Sequence, residues 1–474
     1  MFNDDFWEED RDPGTHAELL RAYEDMKNGQ SSRLLEEDDF EYLIDYFFQN
    51  NQETEALRAC ELSQSYYPFS TSLLLMQAEV LFQAQRFGQA IHALDAVDKL
   101  SGNMMEAILL RSDIYLSQFK FEQAIQLLND KIPFFEGSEK IELLLELSDV
   151  YDEHEDYESV FYTLARILEL SPENDEALHK ISFWADFSGL QEQSVAIHKK
   201  ILDRQPFNAL AWFNLGTAWQ GLKKYIEAIE AYEYCVAIDE KFETAYRNMA
   251  DAYMRLNWFE KAIESLEKNL ELGKPEDVIY EAMGHCFEKQ KDFHKARHFY
   301  REALRLNPAD DTVFYRIGET YSKEQEWEKA AKSYSKALTL NKENVACLQG
   351  LGNCLLELGA GLEALTCFLN ALSIKPNNKG NWVALLNALY RNECYEEMLQ
   401  DIEAARDAVG DKADFNYFRA LALFALGKSK EALLSLEDGL SQSPQKVKLL
   451  LNLRPELLQR KAVSNLIAKY KRKK

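Results

Sequence analysis

Four residues carry the nitrogen and sulfur donors that a metal ion would seek: His285, Cys286, His294 and His298. His294 and His298 stand four apart, which puts both imidazoles on one face of a helix, a spacing that zinc accepts. No C-x-x-C pair accompanies them, and Cys286 shares its place in a repeating pattern with Cys354, so the grouping reads as packing. Glu142, Glu146, Asp149, Asp152 and Glu153 offer paired carboxylates for acid–base or metal chemistry. Acids at helical spacing more often form a solvated or partner-facing stripe, and that is the reading adopted. The stretch Gly359-Ala360-Gly361 looks like a phosphate loop but falls in a turn between helical patterns with no strand before it. No Ser/His/Asp or Cys/His set can be assembled. The sequence therefore predicts no enzyme, no cofactor and no metal site.

The elements behind these residues emerge from one short stretch, WFNLGTAW at Trp212 to Trp219. Steps of 34 residues from Trp212 reach Tyr246, Tyr280, Phe314, Leu348, Trp382 and Asn416, and backwards Leu178 and Leu144. A two-residue slip then leads to Ile108, Leu74 and Phe40. Eleven of these twelve anchors are large and apolar, and ten of the twelve residues four places later are small. Ala occupies offset 16 in nine repeats, and offset 28 holds six of the ten prolines.

Offsets 0, 3, 4 and 7 share one helical face, and offsets 16, 20 and 23 share another. A short polar turn lies between them. Small residues let the two helices approach closely while aromatics fill the space beside them. Proline ends the second helix by fixing φ and lacking a donor. A pair of this length cannot bury its own face, so neighbours must stack.

The pattern resembles the tetratricopeptide repeat family over about residues 37–446. That resemblance implies an all-α fold, a right-handed superhelical solenoid of antiparallel helix pairs. Residues 1–36 are assigned to an acidic N-terminal segment with a capping helix, residues 37–446 to twelve repeats, and residues 447–474 to a capping helix with a basic tail. Thr15 and Glu18 read as a capping box ahead of Leu19, Tyr23 and Met26. Residues 1–14 read as unstructured, with a docking segment built on Phe2, Phe6 and Trp7 among the acids as the alternative. Val463, Leu466, Ile467 and Tyr470 form the stripe that should cover the last repeat, and Pro133 with Gly137 mark a bend after the third.

The net charge of −26 is unevenly spread. Residues 1–200 hold 41 Asp/Glu against 15 Lys/Arg, whereas residues 201–474 hold 39 of each. An acidic field repels nucleic acid and anionic membrane and attracts basic partners. No apolar run approaches the ~20 residues that span a bilayer. The start is acidic rather than a secretory leader, and the seven cysteines show no paired spacing, so a reduced cytoplasmic setting is expected.

In the family, first helices line a concave groove, and offsets −2, +1, +2, +5, +8 and +9 face it. Carried onto this chain, that gives an acidic stretch in repeats one to four: Asp38, Glu41, Asp45, Glu79, Asp113, Glu142, Glu146, Asp149, Asp152 and Glu153. A mixed stretch follows, with Asn214, Arg247, Asn248, Asp251, Arg255, His285, Arg316, Glu319, Lys323, Asn353, Asn387 and Arg391. The expected function is a non-enzymatic scaffold that binds an extended peptide or protein segment, with a basic segment facing the acidic repeats. The mixed stretch is expected to hold main chain and carboxylates. The alternative is a homotypic assembly component that uses the array ends or convex faces.

Overall fold

The computed structural model describes residues 13–30 and 33–471, and every regular element among them is a helix. A leading helix, α1 (Pro13–Lys27), precedes six pairs: α2 (Glu37–Gln49) with α3 (Glu53–Tyr66), α4 (Thr71–Gln83) with α5 (Phe87–Ser101), α6 (Met105–Ser117) with α7 (Phe121–Lys131), α8 (Gly137–Glu153) with α9 (Tyr157–Leu170), α10 (Asp175–Phe187) with α11 (Gln191–Arg204), and α12 (Ala209–Gly221) with α13 (Tyr225–Ile238). Six more follow: α14 (Glu243–Arg255) with α15 (Phe259–Leu272), α16 (Asp277–Lys289) with α17 (Phe293–Leu306), α18 (Asp311–Lys323) with α19 (Trp327–Leu340), α20 (Val345–Glu357) with α21 (Gly361–Ile374), α22 (Lys379–Arg391) with α23 (Tyr395–Val409), and α24 (Ala413–Ala425) with α25 (Ser429–Gln442). Then come α26 (Val447–Leu453), a 3-10 turn at Pro455–Gln459, and α27 (Lys461–Lys471). The chain forms two compact units divided between Ala245 and Tyr246, inside α14.

Local chemistry sets the helix ends. Four residues before the anchor, Ser70, Asn174, Asn208, Asp310, Asn344 and Asn378 accept backbone N–H groups of the first helix and cap it. Eleven residues after every anchor the backbone turns left-handed, from Asn51 (φ 56°) in the first repeat to Gly427 (φ 78°) in the last. Only three of those twelve turn residues are glycine: Gly189, Gly359 and Gly427. The tryptophan anchors have a polar task as well. Trp212 and Trp382 each donate their indole N–H to the carbonyl of the proline six residues earlier, both at 2.8 Å.

Offsets 4 and 20 fit as lock and key. A Cβ on Gly216, Gly284, Gly318 or Gly352 would lie 2.5–2.7 Å from the ring of Tyr232, Tyr300, Tyr334 or Phe368. Where offset 4 is alanine, as at Ala78, Ala250 and Ala420, the partner is Leu94, Leu266 or Leu436. Where it is the large Ile44, the partner shrinks to Cys60. These pairs sum to a similar volume, which close packing favours, whereas the eleventh repeat joins two large residues, Leu386 and Ile402.

First helices of successive repeats touch one another, as α2–α4, α4–α6, α6–α8 and α10–α12 in the first unit and α18–α20, α20–α22 and α22–α24 in the second. Among second helices, α9 and α11 alone come comparably close. The first helices therefore form the inner row of each unit. The slip after repeat three is absorbed by a short α7, a 3-10 turn at Ile132–Phe134, and an α8 extended to 17 residues.

Both ends are covered. Leu19, Tyr23 and Met26 of α1 are buried beside Phe40 and Phe47, and Val463 and Ile467 of α27 are buried with Leu436, Leu450 and Leu457. Thr15 lies inside α1 rather than at its cap, because the helix already runs from Pro13. The acidic segment up to residue 12 and the last three tail residues lie outside the described part of the chain.

Candidate interaction face

In the first unit the inner row carries a carboxylate at the same offset in four successive repeats: Asp45, Glu79, Asp113 and Asp149. No cation among the described residues comes within ion-pair distance of the first three. Asp45 accepts a hydrogen bond from Gln49 at 2.8 Å, and Asp149 meets Lys180 Nζ of the next repeat at 3.2 Å. Burial against the wall, with the charge of Asp45 nearby, pushes the Glu79 carboxyl up to about 7. Burial also raises Glu146 to about 7, aided by Asp113 and Asp149, and the Ser112 hydroxyl offsets part of that without a well-aligned hydrogen bond. Asp45, Asp113 and Asp152 are displaced upward too, chiefly by burial. These upward shifts follow chiefly from burial, and no described cation forms an ion pair with Asp45, Glu79 or Asp113.

The fifth rung of this row is not an acid. Phe183 occupies the offset of Asp149, Phe187 that of Glu153, and both rings are about three-fifths exposed, at 61% and 60%. Trp184 stacks on Tyr157 with centroids 5.2 Å apart, and Phe187 meets Tyr157 edge-on at 4.7 Å. Sequence reading gathered only polar residues at the groove offsets and so passed over these rings, although their offsets placed them there.

The second unit presents cations, but they are engaged. Arg316 Nε lies 3.1 Å from Glu281, Lys323 Nζ 2.7 Å from Glu288, and Arg391 Nη1 2.6 Å from Glu357, each one repeat back. Arg247 reaches Glu276 at 3.4 Å and Arg255 reaches Asp251 at 3.5 Å. Burial alone would raise Glu288, yet the hydrogen bonds from Lys323 and Tyr300 outweigh it and hold the carboxyl below its usual range. Beside them stand the amides of Asn248, Asn353 and Asn387, on the same row and free of hydrogen bonds to the described residues.

Asn214 departs from its expected role. It is 2% exposed, and its amide donates to the Leu178 carbonyl at 2.7 Å, so it braces α12 against α10 instead of presenting itself to a ligand. The carboxylate-holding role expected of Arg247 and Arg316 meets a physical obstacle as well, since glutamates of this chain already pair with both.

Tetratricopeptide repeat models match residues 209–242 and 278–310, 244–272, 313–346 and 383–446, in register with the helix pairs. The chain is a tetratricopeptide repeat protein. Among curated proteins none matches it significantly. Solved structures similar to this tetratricopeptide array include MamA, at 23% identity over 34% of this chain and 95% of that one, with a TM-score of 0.33. The Cut9–Hcn1 hetero-tetramer of APC/C aligns at 13% identity over 82% of this chain and 97% of that one, with a TM-score of 0.35. The C-terminal part of a tetratricopeptide repeat-containing protein from Cytophaga hutchinsonii aligns at 16% identity over 51% and 99%, with a TM-score of 0.45. Among the described residues, no helix is long and apolar enough to cross a membrane.

Proposed function

We propose that this tetratricopeptide repeat protein is a non-enzymatic scaffold whose first unit holds an extended, Lys/Arg-rich segment of a partner protein along its inner row. The observation that carries this reading is the ladder of Asp45, Glu79 and Asp113, at one offset in three successive repeats and without an ion pair among the described residues. A surface that ion-pairs its own charges gains little from a charged visitor, whereas Asp45, Glu79 and Asp113 form no ion pair with any described residue. First helices pack about 8–10 Å apart and an extended chain rises about 3.3 Å per residue, so a cation at roughly every third residue matches the ladder. In the second unit, the open amides of Asn248, Asn353 and Asn387 suit main-chain hydrogen bonds better than the paired cations suit carboxylates.

The test uses the full chain and a fluorescent peptide of four Gly-Lys-Ser triplets. Anisotropy titrations should show binding that weakens steeply between about 50 and 300 mM salt, because exposed charges are screened. Joint replacement of Asp45, Glu79 and Asp113 by Lys should weaken it at least about tenfold, mainly by slowing association. If the triple variant binds as the wild type does, the ladder is not the binding surface, and assembly between copies of the chain becomes the better account.

A further inference from the structure

An aromatic rung, Phe183 with Trp184 and Phe187, follows the acidic ladder in the first unit. We propose that the cavity between α8 and α10 in the first unit receives an arginine side chain of the bound basic segment, its guanidinium stacked on Phe183 and Trp184 and paired with Asp152. The assignment rests on the reading that a basic segment follows the inner row, and it names the residue type that anchors one end.

The cavity measures about 360 Å³, and Asp149, Asp152, His179, Lys180, Phe183 and Trp184 line it. One side is π-faced. Phe183 meets Trp184 edge-on at 4.8 Å and lies 6.1 Å from Phe187, so the rings hold one another in place while Phe183 and Phe187 stay open to water. The other side is anionic. Lys180 Nζ already bridges Asp149 at 3.2 Å and Glu176 at 2.7 Å, which leaves Asp152 with no ion pair among the described residues. Burial and the charges of Asp149 and Glu153 raise its carboxyl despite Lys180, so one more positive charge is favoured here.

Three kinds of visitor fit part of this surface. An aliphatic side chain would cover the rings but bury a carboxylate beside apolar surface, which is costly. An ammonium would answer the charge but is compact and strongly hydrated, so it keeps its water rather than lying on a ring. A guanidinium is planar and weakly hydrated, stacks on aromatic faces and bonds carboxylates through a fork of donors. Arginine alone satisfies both walls at once.

The experiment compares two fluorescent peptides on the full chain, four Gly-Arg-Ser triplets against four Gly-Lys-Ser triplets at equal net charge. The arginine probe should bind about three- to tenfold more tightly. Phe183→Ala with Phe187→Ala should remove that preference and leave the lysine probe within about twofold of wild type. Phe183→Leu keeps apolar bulk without a π-face and should behave like the alanine pair. Unchanged thermal midpoints would show that each variant is folded, as expected for side chains mostly open to water. Equal affinity of the two probes for wild type, or an arginine preference that survives in the Phe183 variants, would overturn the assignment while leaving the scaffold reading intact. Failure of wild type to bind either probe would remove both.

Discussion

Gly318 and Tyr334 leave no room for a methyl group between them: a Cβ on Gly318 would stand 2.6 Å from Cε1 of the ring. The same ring is confined from the next repeat, where a Cβ on Gly350 would approach Cζ to 2.6 Å. Its hydroxyl donates to Glu319 at 2.6 Å, so the tyrosine cannot swing aside cheaply. Gly318→Ala should therefore destabilise the second unit by about 1–2 kcal/mol, overpacking outweighing the gain in helix propensity. In a Tyr334→Leu background the same change should cost nothing, since leucine is the partner that alanine has in other repeats. Amide exchange of α18–α20 in the two single variants and the double variant reads this coupling.

A left-handed turn residue with a side chain costs about 1 kcal/mol more than glycine in that conformation. Gln325 (φ 61°) stands at that place in the ninth repeat, is exposed and bonds through its backbone to Ser322. Gln325→Gly is expected to raise the local stability of α18–α19 by about 0.5–1 kcal/mol, seen as slower amide exchange there. Gln325→Val, β-branched in the same conformation, should lower it.

His198 is wholly buried, bonds through Nδ1 to the Ser194 carbonyl at 2.8 Å, and leaves Nε2 without a hydrogen-bond partner among the described residues. Burial pulls its pKa down to about 4. An unfolded histidine titrates near 6.5, so as pH falls below that value the unfolded chain takes up a proton that the folded chain refuses. The contribution of neutral His198 is complete above about pH 6.5 and is lost as pH falls toward 4, to a total of roughly 3 kcal/mol. Glu79 and Glu146, each raised to about 7, act in the opposite sense over the same range, because the folded state then binds the extra proton. Comparing wild type with His198→Leu, the residue that Leu94, Leu128 and Leu164 place at this offset, isolates the histidine. The stability difference between the two should grow in favour of the variant from pH 6.5 to 4.5, and a constant difference would contradict the assignment.

Removing residues 447–474 should leave the apolar flank of α24 and α25 bare where Val447, Leu450, Leu457, Val463 and Ile467 now cover it. Exposed patches of that kind drive association. The truncated chain should sediment as aggregates, and Ile467→Ala alone should cost about 2–4 kcal/mol locally. A monomeric truncation with an unchanged thermal midpoint would contradict this.

The helix pairs were legible because packing repeats its demands at fixed intervals, so small residues, anchors and prolines recur where helices touch or end. The match between offsets 4 and 20 was equally present in the letters, from Gly216 with Tyr232 to Ile44 with Cys60, but it appears only when the two columns are read against each other. The site was less legible. An asparagine at a groove offset can keep its amide open, as Asn248 does among the described residues, or turn it to a neighbouring carbonyl, as Asn214 does, and the choice depends on a rotamer and the helix beside it. Arg316 looked available until Glu281, one repeat earlier, was placed within reach.

Glu281 with Arg316, Glu288 with Lys323, and Glu357 with Arg391 join first helix to first helix, at 2.6–3.1 Å. Surface pairs of this sort are worth at most about 1 kcal/mol each, less than twice the thermal energy RT, so any single tie opens often while the set rarely opens together. Ties along one edge of a stack act as a spring in bending. The elasticity of the second unit is thus tuned by the solvent, stiff in dilute buffer and softer as added salt weakens each tie.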